Sequence, residues 1–407
     1  MEPIVVTGVG IISSMGVGKD VFWRRLMQTR SGIRGIDRFA TDGLTSNAAG
    51  CVRGFDPGRF MPPMRYRRMS RISKMAVAAS VEALADSGID VGSMDRDRIA
   101  VVIGTAYGSS SHVDAFFMSL LKNGPRGAQP FLFPETVSNA PASHTAIFHG
   151  LTGPNSTFCQ NEISAETAVS YAAALLRDRR VDAALVGGAE ELSEILFRCY
   201  DALGALNPVR VAPGEVAQPI PAAGLVLGEG AAFLVMERQT TAERRRAAVY
   251  GRLEAVAVTG GPCAMGRYEM AGTQMLRAVQ SVLDQARRPR EDVDALSVSA
   301  NYSKELDRIE YRCFRDYFKN CRCLPGVTPL KYLSGSFGAG GALRAAAVLL
   351  GFRHRMPLPV VALETLAPGF KGPVAWEIPP EQPAATVLMS SATFGGGAAA
   401  LLFSSCH

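Results

Sequence analysis

The sequence predicts a layered α/β protein with buried sheets. Short apolar, β-branched runs end at glycine at residues 4–7, 99–103 and 181–186. Segments with helical apolar spacing alternate with them, as at residues 73–88 and 273–286. The composition, 47% apolar and 20% charged over 407 residues, is that of an ordinary globular protein. At about 150 residues per domain the length allows two or three domain-sized units.

The elements follow in order. Residues 4–7 read as a buried strand running into a tight turn at Gly8 and Gly10. Residues 73–88 form a helix that a glycine stops. The runs at 99–103 and 181–186 are strands, each with glycine after it. A second cycle begins with strands at 231–236 and 249–259, separated by the charged break 244–246. A helix at 273–286, a strand at 295–300, a small-residue helix at 339–350 and a strand at 384–390 complete it. The two halves, 1–245 and 246–407, share this order without a strict sequence repeat. The proline-rich stretches 208–221 and 357–383 read as surface loops.

Charge narrows the function classes. The 43 basic and 37 acidic residues leave a mild net charge of +6. That is no nucleic-acid-binding signature, which needs a concentrated basic face. The one dense basic run is Arg65, Arg67, Arg68, Arg71 and Lys74, either a solvated face or a landing site for an acidic partner. The 8 cysteines form no CxxC pair, and the close pair Cys321 and Cys323 has no histidine nearby, so no metal site is expected. Reduced thiols and a cytoplasmic location are expected. The opening MEPIVVTGVG lacks the basic and apolar regions of a signal peptide. No stretch is long and apolar enough to span a membrane. With no P-loop, dinucleotide fingerprint or carboxylate cluster, no cofactor is expected.

Five glycine-rich pieces carry a resemblance. They are Gly153-Pro154-Asn155, the run from Asp182 through Gly187-Gly188-Ala189-Glu190, and Leu227-Gly228-Glu229-Gly230-Ala231. The run from Lys331 through Gly335-Ser336-Phe337-Gly338-Ala339-Gly340-Gly341 and then Phe394-Gly395-Gly396-Gly397 follow. Together they resemble the β-ketoacyl-acyl carrier protein synthases over essentially the whole chain. The resemblance implies a thiolase-like, five-layered α/β/α/β/α fold from two duplicated halves. It also implies a dimer paired through an edge strand near the nucleophile elbow.

Condensing members of that family use a cysteine at a helix-opening turn, where the helix dipole lowers its pKa, and a pair of histidines that stabilise developing charge. The nucleophile position, seven residues after Asn155, is Glu162. The first histidine position, eight residues before Asp307, is Ser299, and the second, after Lys331 and Gly335, is Ser336. Lys331 is retained, with Glu162 or Glu310 as its expected ion-pair partner. His112, His144, His149, His354 and His407 all fall elsewhere and read as structural or exposed. Cys159 lies three residues before the nucleophile position, in the strand leading in.

This pattern of losses resembles the chain length factors of type II polyketide synthases, which pair with a condensing ketosynthase. Those usually carry glutamine where this chain has Glu162. The run Lys304-Glu305-Leu306-Asp307-Arg308 resembles their Pro-Glu-Leu-Asp-Arg. The resemblance implies a non-catalytic subunit whose partners are a ketosynthase and an acyl carrier protein. It places tunnel positions at Ser110, Val113 and Phe117, with Phe116 or Phe117 as the stop and Leu196 as a further lining residue. Phe394 matches a mobile gate loop, although Ala392 and Thr393 depart from it. Arg65, Arg67, Arg68 and Arg71 are the carrier-docking candidates. Each of these residues also has a plain reading as core packing, a buried helix cap or solvated charge. Two rivals stay open. One is an independent enzyme, a malonyl decarboxylase using Glu162 or a protein using Cys159 as a displaced nucleophile. The other is a homodimeric acyl-carrier-binding protein.

Overall fold

The computed structural model describes residues 2–217, 220–321, 325–367, 370, 374–379 and 384–406. Cys323, His407 and parts of both proline-rich loops lie outside these. Ten main strands carry the fold among the described residues. In the first half they are β1 (Ile4–Ser13), β2 (Ile99–Gly104), β3 (Asn155–Phe158), β4 (Ala183–Glu190) and β5 (Gly230–Arg238). In the second they are β6 (Gly251–Gly260), β7 (Ala295–Ser297), β8 (Gly326–Thr328), β9 (Thr386–Ala392) and β10 (Gly397–Ser404). Their order is β3-β2-β4-β5-β1, then β6-β10-β9-β7-β8. Read outward from the β1–β6 junction, the second half repeats the order of the first. β3 ends the path and pairs only with β2.

Eight helices matter for the site: α1 (Arg71–Ser87), α2 (Ser110–Asn123), α3 (Ala140–His149), α4 (Ser164–Arg177), α5 (Glu194–Ala202), α6 (Thr273–Ala286), α7 (Lys304–Phe318) and α8 (Gly340–His354). α1 and α3 cover one face of the first half and form a core with it. α6 and α7 do the same for the second half. α4 and α8 lie between the halves and pack on strands of both. Every residue from Gly340 to Phe352 is buried, as a helix between two sheets requires. Five α/β/α/β/α layers result.

Most strands and helices stand where the sequence places them, with two instructive differences. The first strand does not turn at Gly8 and Gly10 but continues to Ser13. Both glycines face α1, where an added Cβ would lie 2.2 Å from the Ala83 carbonyl and 2.0 Å from that of Ala79. They permit close helix–strand approach rather than a turn. The strand expected at 295–300 is hydrogen-bonded as a strand only over Ala295–Ser297.

α1 shows how local chemistry sets an element. The Ser70 hydroxyl caps its first turn by accepting from the Ser73 N–H, and Gly88 ends it in the left-handed region at φ 67°.

Candidate functional site

β3 runs into a tight turn, Asn161–Ile163, that opens α4. Asn161 takes a left-handed φ of 48°, which an asparagine tolerates. Glu162 therefore sits at the mouth of the buried helix and is only 8% exposed. Its carboxylate accepts a short hydrogen bond from the Thr393 hydroxyl, and its N–H donates to the same Thr393 Oγ1 at 3.3 Å. The Tyr268 hydroxyl donates to the other carboxylate oxygen at 3.5 Å. Tyr268 in turn packs against Phe394, with ring centroids 4.5 Å apart. Phe394 thus meets the site through Tyr268.

A small pocket opens above Glu162. Its lining includes Tyr107, Glu190, Leu196, Tyr200 and Ser336. Glu190 is fully buried at the end of β4 and accepts from Ala106 N at 2.7 Å, Tyr107 N at 3.2 Å and Thr105 Oγ1 at 3.1 Å. Burial still pushes its carboxyl up to about 8.

Of the other expected positions, Ser336 lines this pocket, and Ser299 and Asp307 are buried. Ser299 donates to Glu310 Oε1 through its N–H at 2.8 Å and its hydroxyl at 2.9 Å. Burial raises the Glu310 carboxyl above its ordinary range. Asp307, one turn earlier on α7, accepts from Tyr332 Oη at 2.7 Å and Asn301 N at 2.9 Å, and burial pushes it up to about 7. The Ser336 backbone bridges the Val226–Gly228 segment, its N–H donating to Val226 O at 2.7 Å and its carbonyl accepting from Gly228 N at 2.8 Å.

The expected Lys331 ion pair does not form. Lys331 is buried, and its Nζ has no hydrogen-bond partner. Desolvation lowers its pKa, with the Arg344 charge adding to the effect. Glu162 is instead bonded by Thr393 and Glu310 by Ser299, and the second buried cation, Arg344, stands near Glu166. This fully buried guanidinium donates to Ser391 Oγ at 2.8 Å and Ser390 O at 2.6 Å and lies 3.8 Å from Glu166 Oε1. Ser391 donates to Glu166, closing the link.

Ser110, Val113, Phe116 and Phe117 all lie on α2. Ser110 Oγ meets Ser193 Oγ at 2.8 Å, at the start of α5. Phe116 packs on Phe133, while Phe117 is 52% exposed. Of the tunnel residues expected from sequence, Leu196 lines the pocket over Glu162.

Arg71 is a correction. It donates to buried Glu229 through Nε at 3.1 Å and an NH2 nitrogen at 2.8 Å, and Arg38 binds the same carboxylate at 2.8 Å. A buried carboxylate demands such partners, so the Arg71 guanidinium is committed to Glu229 although its side chain is 32% exposed. Arg65, Arg67 and Arg68 remain exposed.

Cys159 falls just past the end of β3 rather than within it and is exposed, but partial burial of the thiol raises its pKa. That is the reverse of an activated nucleophile. The histidines within the described residues sit elsewhere: His144 pairs with Glu135, His149 bonds Ser80 at 2.8 Å, and His354 stacks on Trp23. His112 is part-buried on α2. Among the described residues no group of three or more side chains is placed to hold a metal ion, and no helix is long and apolar enough to cross a membrane.

Sequence reasoning passed over Tyr107, Tyr200 and Tyr268, which no motif marks. Glu190 ends a recognised glycine-rich run, and that was its available signal.

A thiolase-like scaffold with its elbow at the mouth of a buried helix defines a ketosynthase-class protein. The β-ketoacyl synthase N-terminal domain family matches residues 1–242 and the C-terminal domain family residues 250–364. The chain belongs to the β-ketoacyl synthase family. It is similar to the granaticin polyketide putative β-ketoacyl synthase 1 of Streptomyces violaceoruber, 30% identical over 90% of this chain and 89% of that one. It is equally similar, at 30%, to the tetracenomycin polyketide synthase ketoacyl synthase alpha subunit of Streptomyces glaucescens, over 96% and 94% of the two chains. Among solved structures, the ishigamide ketosynthase/chain length factor aligns over the full length of both chains with a TM-score of 0.88 and 25% identity.

Proposed function

We propose that this chain is the non-condensing subunit of a ketosynthase heterodimer, a chain length factor. It pairs with a condensing ketosynthase and shapes the tunnel in which a polyketide or polyene chain grows by decarboxylative malonyl condensation. The observation that carries this is Glu162, a carboxylate at the elbow tied to Thr393, with Ser299 and Ser336 at the histidine positions. A carboxylate forms no acyl thioester, and serine hydroxyls do not replace imidazole near neutral pH.

The surface supports pairing. Phe117, Met118 and Leu121 on α2 stand exposed, as do Phe131, Phe133 and Val137 after it. β3 adds an open sheet edge. So much exposed apolar surface marks an interaction site. The ishigamide structure is named as a ketosynthase with its chain length factor, which fits a partner of that kind. The acyl carrier protein is the expected second partner, with Arg65, Arg67 and Arg68 as cations available to an acidic surface.

The test is native mass spectrometry of the chain co-expressed with the cysteine-bearing ketosynthase from its own gene neighbourhood. A one-to-one complex is expected, with little homodimer when the chain is made alone. A robust homodimer that ignores the ketosynthase refutes the reading and favours an independent acyl-carrier-binding protein.

A further inference from the structure

Two phenols meet in the wall of the pocket over Glu162. Tyr107 and Tyr200 both line it, and their hydroxyl oxygens lie 2.7 Å apart. The rings meet edge-on with centroids 6.4 Å apart. Tyr107 stands on the turn between β2 and α2, and Tyr200 on α5. The Ser110–Ser193 hydroxyl pair joins the same two regions. Two hydroxyl contacts therefore latch the start of α2 to α5.

Tyr107 is 38% exposed, so the ring that lines the pocket also reaches the surface. The two latched helices also carry exposed Phe117 and Ile195. The rest of the lining includes Leu196, Leu225, Leu227 and Phe337, with Glu162 and Glu190 among the polar groups. Such a lining suits a neutral, largely apolar chain end.

We propose that Tyr107 and Tyr200 are specificity-determining residues: their hydrogen-bonded pair is a door between the apolar face of α2 and this chain's own pocket, and it sets how far the neutral distal end of a growing acyl chain reaches. This rests on the reading of the chain as a tunnel-shaping subunit. With the door shut, the chain end stops at the phenols. With it open, the pocket over Glu162 becomes the tunnel's last chamber.

The experiment uses the heterodimer purified with its condensing ketosynthase, supplied with carrier protein and malonyl donor, and reads product lengths by mass spectrometry. Tyr200→Ala and Tyr107→Ala are expected to lengthen the main product by at least one malonyl-derived unit, with the complex retained. Tyr200→Phe keeps the ring and removes the hydroxyl contact, and a mixture of wild-type and longer products is expected. Unchanged lengths in all three variants, with complex and turnover intact, overturn the door. If the alanine variants fail to fold, unchanged lengths in Tyr200→Phe and Tyr107→Phe overturn it alone. A wild-type chain that forms no complex, or whose removal leaves turnover unaltered, overturns the tunnel-shaping reading and the door with it.

Discussion

Glu162 and Thr393 hydrogen-bond each other twice across the interface of the two halves, hydroxyl to carboxylate and N–H to hydroxyl. The pair ties the elbow to the loop that carries Phe394. Removing the hydroxyl leaves a buried carboxylate with only the long Tyr268 contact. Thr393→Val is therefore expected to destabilise the protein by about 1–3 kcal/mol. Thr393→Ser is expected to hold near wild type. Urea denaturation of the three proteins checks both.

A thiol introduced at Glu162 alone is not expected to restore condensation. Glu162→Cys places a thiol at the helix mouth, but on the proposed reading Ser299 and Ser336 stand where imidazoles are needed. General acid–base groups contribute about 10²–10⁴-fold, so the variant is expected to fall short of a histidine-bearing ketosynthase by at least that factor. Alkylation of the new thiol together with absence of a condensed product is the expected pair of readouts. Glu162→Gln, made in the heterodimer, is expected to retain product output. A loss of output there instead supports the decarboxylase alternative.

Arg71 and its neighbours are expected to separate by effect. Arg71→Ala leaves fully buried Glu229 with one arginine fewer, and removing a partner from a buried pair costs about 3–5 kcal/mol, the lower end applying because Arg38 remains. Arg65→Ala and Arg67→Ala touch exposed residues and are expected within about 0.5 kcal/mol of wild type. Their effect belongs to carrier binding, read as weaker association at low salt.

The raised carboxyls give a pH signature. Glu190 is held at about 8 when folded against 4.5 ordinarily, and Asp307 at about 7 against 3.8. The folded protein therefore binds more protons than the unfolded chain between those values. The stability these groups contribute is full below the lower value and is lost as pH rises through the upper one. Glu190→Gln is expected to flatten the decline between about pH 4.5 and 8, measured as urea midpoints across a pH series.

Which features were legible in the sequence follows from how local their causes are. The helix Arg71–Ser87 is written in its own residues, by Ser70, apolar spacing and Gly88. The strand through Gly8 and Gly10 is not, because those glycines answer to Ala79 and Ala83 on a helix some seventy residues away. The site divides the same way. Glu162, Ser299 and Ser336 were found by motif spacing, which the chain carries on its face. Lys331 stands without a hydrogen-bond partner while Thr393 and Ser299 hold the two expected carboxylates, and the Tyr107–Tyr200 contact joins a turn to a helix, neither of which any spacing encodes. Arg71 looked like one more surface cation because its partner, Glu229, lies far along the chain.

The apolar face of α2 offers the sharpest test of partner binding. Leu121 is 77% exposed, so replacing it disturbs little of the folded core. A charge placed there faces solvent in the free chain but is desolvated once a partner covers it. Hot-spot residues near the centre of an interface cost about 2 kcal/mol or more when lost, a loss of affinity of roughly 30-fold. Leu121→Glu is therefore expected to weaken the ketosynthase complex by at least that factor while leaving circular dichroism and the urea midpoint unchanged. Phe117→Asp, one turn earlier, is expected to act in the same direction. If both variants bind the ketosynthase as tightly as wild type, this face is not the interface, and the open edge of β3 must then be tested alone.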